Sequence, residues 1–242
     1  MKRVVAGLAL VALTVPAAVS GATQINVFAA ASLTNVFPRI GGSERYSFAG
    51  SDQLALQLRQ GAPADVFAAA SPKYAQLLYR DGLLLKPAVF ATNRLIVLVP
   101  RSSPPKIRSV YDLRRPGVKV VVGDDSVPIG IYTRQILDAL GITADVGKNI
   151  VSKEPDVKGI VSKIALGEAD AGFVYRTDAK PVAGHTRTIA LPAWAQPPIR
   201  YELAVVKASK HRAAAKAFVA KVLSKRGRLL LSRAGFGLPR RP

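Results

Sequence analysis

Four side chains that carry oxygen atoms stand where a helix-like segment begins: Ser32, Ser51, Ser126 and Asp156. The three serines also follow a strand-like apolar segment. One interpretation is helix capping, because Ser and Asp are favoured N-caps and Pro128 suits a first helical turn. The other is anion binding. The carboxyl ends of parallel strands share one edge of a sheet, and the helices that follow them present free N–H groups there.

No Lys or Arg stands directly beside any of these four residues. An anion in such a crevice would therefore be held by neutral hydroxyl and backbone donors. These donors satisfy its oxygens without the desolvation cost of a buried ion pair. Each helix N-terminus adds a favourable dipole worth about 0.3–1 kcal/mol at an exposed site.

The chain lacks the sequence motifs of common catalytic, nucleotide-binding and calcium-binding sites, and it has no cysteine. Asp124 and Asp125 form a single carboxylate pair, which a turn after a strand explains better than a metal site. His185 and His211 have no nearby partner along the chain, and we interpret both as solvated surface residues. The sequence thus predicts a protein that is not an enzyme and has no cofactor.

Apolar segments of strand length alternate with segments of helical periodicity, which predicts an α/β fold with mostly parallel sheets and helices on both faces. The predicted strands cover 25–28, 46–48, 64–68, 95–99, 118–122, 171–174 and 201–206. The predicted helical stripes cover 33–40, 54–58, 74–79, 132–140, 157–164 and 218–222. Pro38 and the pair Gly41–Gly42 are expected to cut the first helix short. Linker-like segments at 102–105 and 197–198 suggest a second lobe inserted into the first.

The first 22 residues, 1–22, have the pattern of a secretory signal peptide. Lys2 and Arg3 precede an apolar run over 6–18, which Pro16 interrupts, and small residues follow up to Ala22. A transmembrane anchor would need roughly 18 unbroken apolar residues. We therefore expect cleavage near Ala22 and a mature chain that is periplasmic or otherwise exported.

The 242 residues include 35 Lys and Arg against 15 Asp and Glu, a net charge of +20, and 49% of them are hydrophobic. This composition excludes a disordered tail and allows a sizeable core. Charge alone suggests a nucleic-acid partner, but export argues against one. Eleven of the cations lie in 203–242, which contains no acid. Three roles stay open for these cations: attraction of dianions, docking to acidic partners, or association with an anionic membrane surface.

Six segments, in order along nearly the whole mature chain, resemble the periplasmic molybdate-binding proteins of molybdate ABC transporters, which have the type II periplasmic-binding-protein fold. They are VFAAASLT at 27–34, FAGS at 48–51, QGAPADVF at 60–67, GDDSVPIGIY at 123–132, GEADAGFVY at 167–175 and AGFG at 234–237. The resemblance implies two lobes joined by a hinge, with a ligand cleft between them. Lobe I would comprise 23–98 and 204–242, and lobe II would comprise 99–203.

The resemblance also implies that molybdate or tungstate binds in the cleft. The implied ligand-binding residues are Ser32, Ser51, Ile129, Val157 and Tyr175. The two serines would donate hydroxyl and amide hydrogens, Ile129 and Val157 backbone N–H groups, and Tyr175 its phenol. Molybdenum would enter as molybdate, with no residue as a direct metal ligand. The chain would be the monomeric binding component of an ABC importer that delivers the anion to a membrane permease, with peripheral membrane contact only and no nucleic-acid partner.

The chemistry of this implied donor set suits a fully deprotonated dianion, which only accepts hydrogen bonds. A phosphate site would need a carboxylate to accept the phosphate's own proton, and none of the five positions is acidic. Sulfate is also fully deprotonated, so binding of another oxyanion such as sulfate is the alternative function. The choice between molybdate and tungstate likewise stays open.

Two segments depart from the family's pattern. The segment 34–45 is shorter than the family's usual first helix and loop, and Pro38 stands where that helix would continue, which affects the depth of the wall around Ser32. Ile129 stands where a small residue is common, but its donor is a backbone N–H, so the contact is expected to persist. Tyr132 is a candidate wall residue, although core packing is the favoured role for its ring.

Overall fold

The computed structural model describes residues 24–102 and 106–239, and each of its two lobes is built on one five-stranded sheet. The predicted signal peptide therefore lies outside the described residues. The first lobe contains β1 (Asn26–Ala30), β2 (Arg45–Ala49), β3 (Val66–Ala69), β4 (Ala88–Asn93) and β10 (Ile199–Val205). Its helices are α1 (Phe37–Ile40), α2 (Ser51–Arg59), α3 (Pro72–Arg80), α8 (Arg212–Leu223) and α9 (Lys225–Arg233).

The second lobe is formed by the middle of the chain. Its strands are β5 (Leu95–Pro100), β6 (Val120–Gly123), β7 (Ile150–Glu154), β8 (Ala171–Tyr175) and β9 (Thr186–Ala190). Its helices are α4 (Pro128–Ala139), α5 (Thr143–Gly147), α6 (Val157–Ala165) and α7 (Arg176–Ala179). Short 3-10 turns cover Ala31–Leu33, Val110–Arg114, Lys180–Val182 and Ala193–Ala195.

The two sheets share one mixed topology. The strand orders are β2-β1-β3-β10-β4 and β7-β6-β8-β5-β9. In each order the first three strands pair in parallel, and the fourth pairs antiparallel with both of its neighbours. Four of the five strands in each sheet therefore point the same way, as expected for mostly parallel sheets, while β10 and β5 run against them.

The chain crosses between the lobes twice, at Arg94 between β4 and β5 and at 191–198 between β9 and β10. The predicted boundaries, after residue 98 and after residue 203, are wrong because each falls inside a strand. The composition of an apolar strand does not indicate which sheet it joins. The observed pairings place the whole of β5 beside β8 and β9, and the whole of β10 beside β3 and β4.

Helices cover both faces of the first sheet, as the alternation of its strand residues requires. Phe28 and Phe67 pack with Leu54 of α2, whereas their neighbours in sequence, such as Val66, pack in the cluster that contains Phe218 of α8. All five side chains are buried. Full burial of one such side chain contributes about 1.5–3 kcal/mol. Among the described residues, no helix combines the length and apolar character needed to cross a bilayer.

Pro38 lies in the first turn of a short helix rather than cutting one short, which corrects the prediction for 33–40. The segment splits into the 3-10 turn Ala31–Leu33 and the four-residue α1, with Pro38 in the first turn of α1. Proline is tolerated in a first turn because the N–H that it lacks would have no intrahelical partner there. The helix then ends at Gly41, as the glycine pair predicted.

Candidate functional site

A small cavity lies between the lobes, and all five predicted ligand-binding residues line it. Ser32 and Ser51 belong to the first lobe, and Ile129, Val157 and Tyr175 belong to the second. The remaining wall of the first lobe consists of small residues, which leave the backbone accessible from the cavity. These are Ala30, Ala31, Ala49, Gly50 and Ala70.

The parallel strands explain why residues so distant in sequence meet at one cavity. Ser32 follows β1 and Ser51 follows β2, while α4 and α6 begin shortly after β6 and β7. Tyr175 is the last residue of β8. Each of these strands therefore presents its carboxyl end to the cleft, which is the edge where ligands bind in open α/β sheets.

Neither cavity serine caps a helix. The Ser51 Oγ accepts a hydrogen bond from the backbone N–H of Ala70 over 3.1 Å, and the Ser32 Oγ lies 2.9 Å from the phenol oxygen of Tyr201. Both serines are buried. The capping interpretation is thus wrong for these two side chains, and the Ser51 hydroxyl, which accepts from Ala70, keeps its hydrogen available for a ligand in the cavity.

Ser126 and Asp156, the other two of the four residues at predicted helix starts, differ from the cavity serines. Asp156 does cap α6, since its Oδ1 accepts from the N–H groups of Lys158 and Gly159 over 2.6 and 3.3 Å. Ser126 is not a cap, because its hydroxyl donates to Oδ2 of Asp52 in the opposite lobe over 2.8 Å. Capping therefore accounts for one of the four.

The second lobe contributes backbone donors from two helix starts. Ile129 is the second residue of α4, and Val157 is the first residue of α6. Backbone N–H groups in the first turn of a helix have no intrahelical acceptor. Because both residues line the cavity, these N–H groups and the positive ends of both helix dipoles are available to an anion.

Tyr175 carries the one cavity phenol, and its oxygen has no hydrogen-bond partner in the described part of the chain. The side chain is 2% exposed, and its ring packs edge-on against that of Tyr201 with centroids 5.8 Å apart. Burial raises the pKa of Tyr175 well above its usual value, and the neighbouring Tyr201 adds to the effect. The phenol therefore stays protonated and can donate its hydrogen.

No Lys or Arg is among the residues that line the cavity. The cation next to the α6 start, Lys158, is paired with Asp178 over 2.7 Å. Burial raises the pKa of Asp178, while Lys158 acts in the opposite direction. The site is thus built from neutral donors, and the carboxylate of Asp156 at its edge is engaged by the N–H groups of α6.

The sequence's candidate metal residues do not form a metal site. Asp125 pairs with Lys153 over 2.7 Å and with Arg134 over 2.5 Å, and these two cations hold its pKa below the usual range. Within 24–102 and 106–239, no three His, Asp or Glu side chains are grouped in a way that could hold a metal ion. Asp124 and Asp125 follow β6, as a turn after a strand requires.

Both histidines are exposed, as predicted, but one of them has a partner that the sequence did not indicate. His185 is exposed, but His211 has a partner, because its Nδ1 lies 3.3 Å from Oδ1 of the buried Asp65. The two residues are far apart in sequence, so no local pattern could have paired them. Tyr132 is buried in the main hydrophobic cluster and is not among the cavity-lining residues, which agrees with the core-packing interpretation.

Sequence reasoning missed four residues around the cavity. Tyr201 forms a hydrogen bond with Ser32, and Asn93 contacts Tyr201. Asp52 connects the lobes through its hydrogen bond with Ser126. Gly50 has no side chain and therefore allows the lobes to approach each other. Only Gly50 had a local signal, as the small residue between a strand end and a helix start. The others depend on which strands and lobes become neighbours.

Comparisons with known proteins agree on one family. A family model described as bacterial extracellular solute-binding protein matches residues 25–237. The molybdate-binding protein ModA of Mycobacterium tuberculosis is 42% identical over 229 residues, which cover 90% of this chain and 86% of that relative. ModA of Escherichia coli is 31% identical over 230 residues, which cover 88% of each chain. The solved periplasmic molybdate-binding protein of Azotobacter vinelandii has the same fold, with a TM-score of 0.81 at 22% identity over 90% of this chain and 100% of that one.

Proposed function

Because this chain belongs to the bacterial extracellular solute-binding proteins, we propose that it is the binding component of an ABC importer and captures molybdate in the interlobe cavity. The observation that carries the proposal is the donor set. Ser32, Ser51, Ile129, Val157 and Tyr175, from both lobes, line one small cavity without a cationic side chain. The relatives named as molybdate-binding proteins support the choice of anion.

The donor set suits the chemistry of a tetrahedral dianion that carries no proton. Every proposed contact is a hydroxyl, phenol or backbone N–H group that can donate. The unpartnered phenol of Tyr175 is buried, and a buried polar group without a partner costs about 1–3 kcal/mol. An anion oxygen at that position would remove this cost, which is part of the affinity that we expect.

Closure of the lobes follows from the same geometry. The anion accepts hydrogen bonds from both lobes only when they are together, so its binding favours the closed arrangement over an open one. A receptor of this kind carries its ligand to a membrane permease and releases it when the lobes separate. Nanomolar to micromolar affinity would correspond to about −12 to −8 kcal/mol.

Isothermal titration with molybdate, tungstate, sulfate and phosphate tests the proposal. We expect heat and a raised melting temperature with molybdate and tungstate, and neither with phosphate. Binding of sulfate alone would replace molybdate by the alternative oxyanion, and no response to molybdate or tungstate would overturn the proposal.

A matched pair of variants makes this titration specific to the cavity. Ser51→Ala removes a charge-assisted hydrogen bond and should raise the Kd for molybdate about 10- to 100-fold. Ser224→Ala removes the cap of α9, whose Oγ accepts from Gly227 N–H over 3.1 Å. It should cost about 1 kcal/mol of stability without changing the Kd.

We further propose that the excess positive charge of the first lobe attracts the anion from a distance. Lys207, Lys210, Lys216, Lys225 and Arg226 are exposed on and before the last two helices. None of them forms an ion pair with a described carboxylate. An association rate that falls with ionic strength would support this role, and a salt-independent rate would contradict it.

We also propose that the protein acts as an exported monomer with peripheral membrane contact only and no nucleic-acid partner. Its leader would be removed near Ala22, so the mature chain would begin close to β1. Mass spectrometry of the secreted protein tests the cleavage position, and light scattering tests the monomer. A mature mass that retains residues 1–22 would contradict the signal-peptide interpretation.

A further inference from the structure

A chain of buried hydrogen bonds runs from the crossing between the lobes to the cavity. The Nδ2 of Asn93 lies 3.4 Å from the phenol oxygen of Tyr201, which in turn lies 2.9 Å from the Ser32 Oγ. Asn93, Tyr201 and Ser32 are all buried. Because water cannot supply missing partners there, each donor and acceptor in the chain must be satisfied by its neighbours.

The orientation of the Asn93 amide is fixed by the backbone. The N–H of Arg94 donates to Asn93 Oδ1 over 2.9 Å, and a backbone N–H can only donate. The Nδ2 group must therefore face the other way, where it donates to Thr177 Oγ1 over 3.0 Å and to Tyr201. Tyr201 consequently accepts a hydrogen bond from Asn93.

The proton of Tyr201 then has one acceptor. The phenol oxygen of Tyr201 has two hydrogen-bond partners in the described part of the chain, Asn93 Nδ2 and Ser32 Oγ, and of these only Ser32 can accept. Tyr201 therefore donates to Ser32, and the opposite direction would leave a buried phenol hydrogen without an acceptor. Ser32 has no other partner in the described part of the chain, so its own hydrogen points into the cavity that it lines.

We infer that the chain from Asn93 through Tyr201 makes Ser32 an obligate hydrogen-bond donor, so that the site selects oxyanions that carry no proton. This inference rests on the proposed oxyanion-binding function and adds a residue-level cause of selectivity. Ser32 contacts the ligand, whereas Tyr201 and Asn93 are positioning residues. A hydroxyl that donated to Tyr201 would present only lone pairs to the cavity and could accept from a protonated oxyanion. A hydroxyl that accepts from Tyr201 can accept from such an anion only by turning its own hydrogen away, which leaves that hydrogen without an acceptor.

Two tetrahedral anions isolate this effect from size and charge. At mildly alkaline pH, selenate and arsenate are dianions of nearly equal size, but only arsenate carries a proton. Their competition against molybdate is to be measured with the wild-type protein and with Tyr201→Phe. We expect the wild type to prefer selenate, and Tyr201→Phe to narrow that preference and to weaken molybdate binding about 10-fold. The control Tyr46→Phe removes a phenol of the same lobe that donates to the Phe37 carbonyl outside the cavity, and it should change neither quantity.

A double-mutant cycle tests whether Tyr201 acts through Ser32. In a Ser32→Ala background, Tyr201→Phe should have no further effect on molybdate affinity. An equal loss in both backgrounds, or a preference for selenate that is unchanged in Tyr201→Phe, would overturn the inference while leaving the proposed function intact. If wild-type protein bound neither molybdate nor tungstate, the proposed function would fail first.

A second variant covers the case in which Tyr201→Phe does not fold. Asn93→Asp keeps the shape of the side chain but replaces the Nδ2 donor by a carboxylate oxygen, which can accept the Tyr201 hydrogen, so Tyr201 no longer needs Ser32 as its acceptor. It should narrow the preference for selenate in the same direction. An undiminished preference in Asn93→Asp would count against the inference as well.

Discussion

The hydroxyl of Ser126 in the second lobe donates to Oδ2 of Asp52 in the first lobe over 2.8 Å. The phenol of Tyr74, also in the first lobe, donates to the backbone carbonyl of the same Ser126. Burial and the nearby Asp52 carboxylate raise the pKa of Tyr74 to about 12, so the phenol keeps its hydrogen at neutral pH. One residue just before α4 thus joins the two lobes through its side chain and its backbone.

Ser126→Ala should loosen the closed form without touching the cavity. The lost hydrogen bond is at an exposed position, so we expect a cost of about 0.5–1 kcal/mol and a Kd for molybdate raised roughly 2- to 5-fold. The change should lie in the dissociation rate, because the bond forms after the lobes meet. The dissociation rate is measured by stopped-flow fluorescence of Trp194. This residue is the single tryptophan and lies in the second crossing segment, 191–198. Ser232→Ala, at an exposed position in α9, is the control and should leave the rate unchanged.

Gly50→Ala should block closure through steric contact. The backbone of Gly50 has φ −56° and ψ 137°, which any residue can adopt, so the variant lobe should fold. A Cβ there would lie 2.6 Å from the carbonyl oxygen of Pro155 in the opposite lobe, and equally close to Asp52 Oδ1. Overpacking of this kind costs typically about 1–3 kcal/mol, which is roughly 5- to 150-fold in Kd.

The matched control for this prediction is Gly147→Ala. A Cβ at Gly147 would meet nothing within 4 Å, so neither affinity nor stability should fall. Titration calorimetry and thermal melting of the unliganded proteins separate the two effects. An unchanged Kd in Gly50→Ala would show that the lobes do not need to approach this closely when the anion is bound.

The elements that sequence reasoning placed correctly are those with local causes. Ser32 and Ser51 follow strand ends and Val157 opens a helix, and the rule that parallel strands share one edge brings such positions together. Ile129 and Tyr175 depended on the family resemblance, since neither an isoleucine near a helix start nor a tyrosine at the end of a strand is distinctive. That the five residues share one cavity was therefore predictable, whereas their binding role stays a proposal.

The features that were missed depend on long-range pairing. Whether β5 joins the first or the second sheet is decided by its register with β8 and β9, and Leu95–Pro100 is equally apolar in either place. Tyr201 reaches Ser32 only because β10 returns to the first sheet beside β3. No periodicity in a single sequence encodes these neighbours.

Tyr175→Phe should change stability and affinity in opposite directions. The phenol oxygen is buried without a partner in the described part of the chain, so its removal should raise the stability of the unliganded protein by about 1 kcal/mol. The same removal takes away a donor to the anion and should weaken molybdate binding about 10-fold. Chemical denaturation and titration calorimetry measure the two quantities.

Tyr46→Phe provides the contrast for this prediction. Its phenol donates to the Phe37 carbonyl over 3.2 Å, so its loss should lower stability and leave affinity unchanged. A Tyr175→Phe protein that is less stable without ligand would mean that the phenol has a partner before the anion arrives.

Lys158→Ala tests the ion pair that keeps the α6 start neutral. The Asp178 side chain is 1% exposed and Lys158 is 32% exposed, so the variant leaves a buried carboxylate without its cation, at a cost of about 3 kcal/mol near neutral pH. Burial already raises the pKa of Asp178 above its ordinary value, and loss of Lys158 should raise it further.

The sign of the pH dependence follows from this raised pKa. A carboxyl group whose pKa is higher in the folded state favours folding most when it is protonated, so its contribution to stability falls as the pH rises from the ordinary value through the raised one. The deficit of Lys158→Ala relative to wild type should therefore be largest at neutral pH and shrink towards acidic pH, where a protonated Asp178 needs no cation. Denaturation at several pH values measures this stability deficit, with Lys148→Ala as the control, since the exposed pair of Lys148 with Asp145 is worth at most about 1 kcal/mol.

Asp178→Asn should remove most of the Lys158→Ala deficit at neutral pH, because it takes away the charge that the lysine compensates. A deficit that is independent of pH, or that survives Asp178→Asn, would mean that Lys158 stabilises the fold through the packing of its aliphatic stem rather than through its charge.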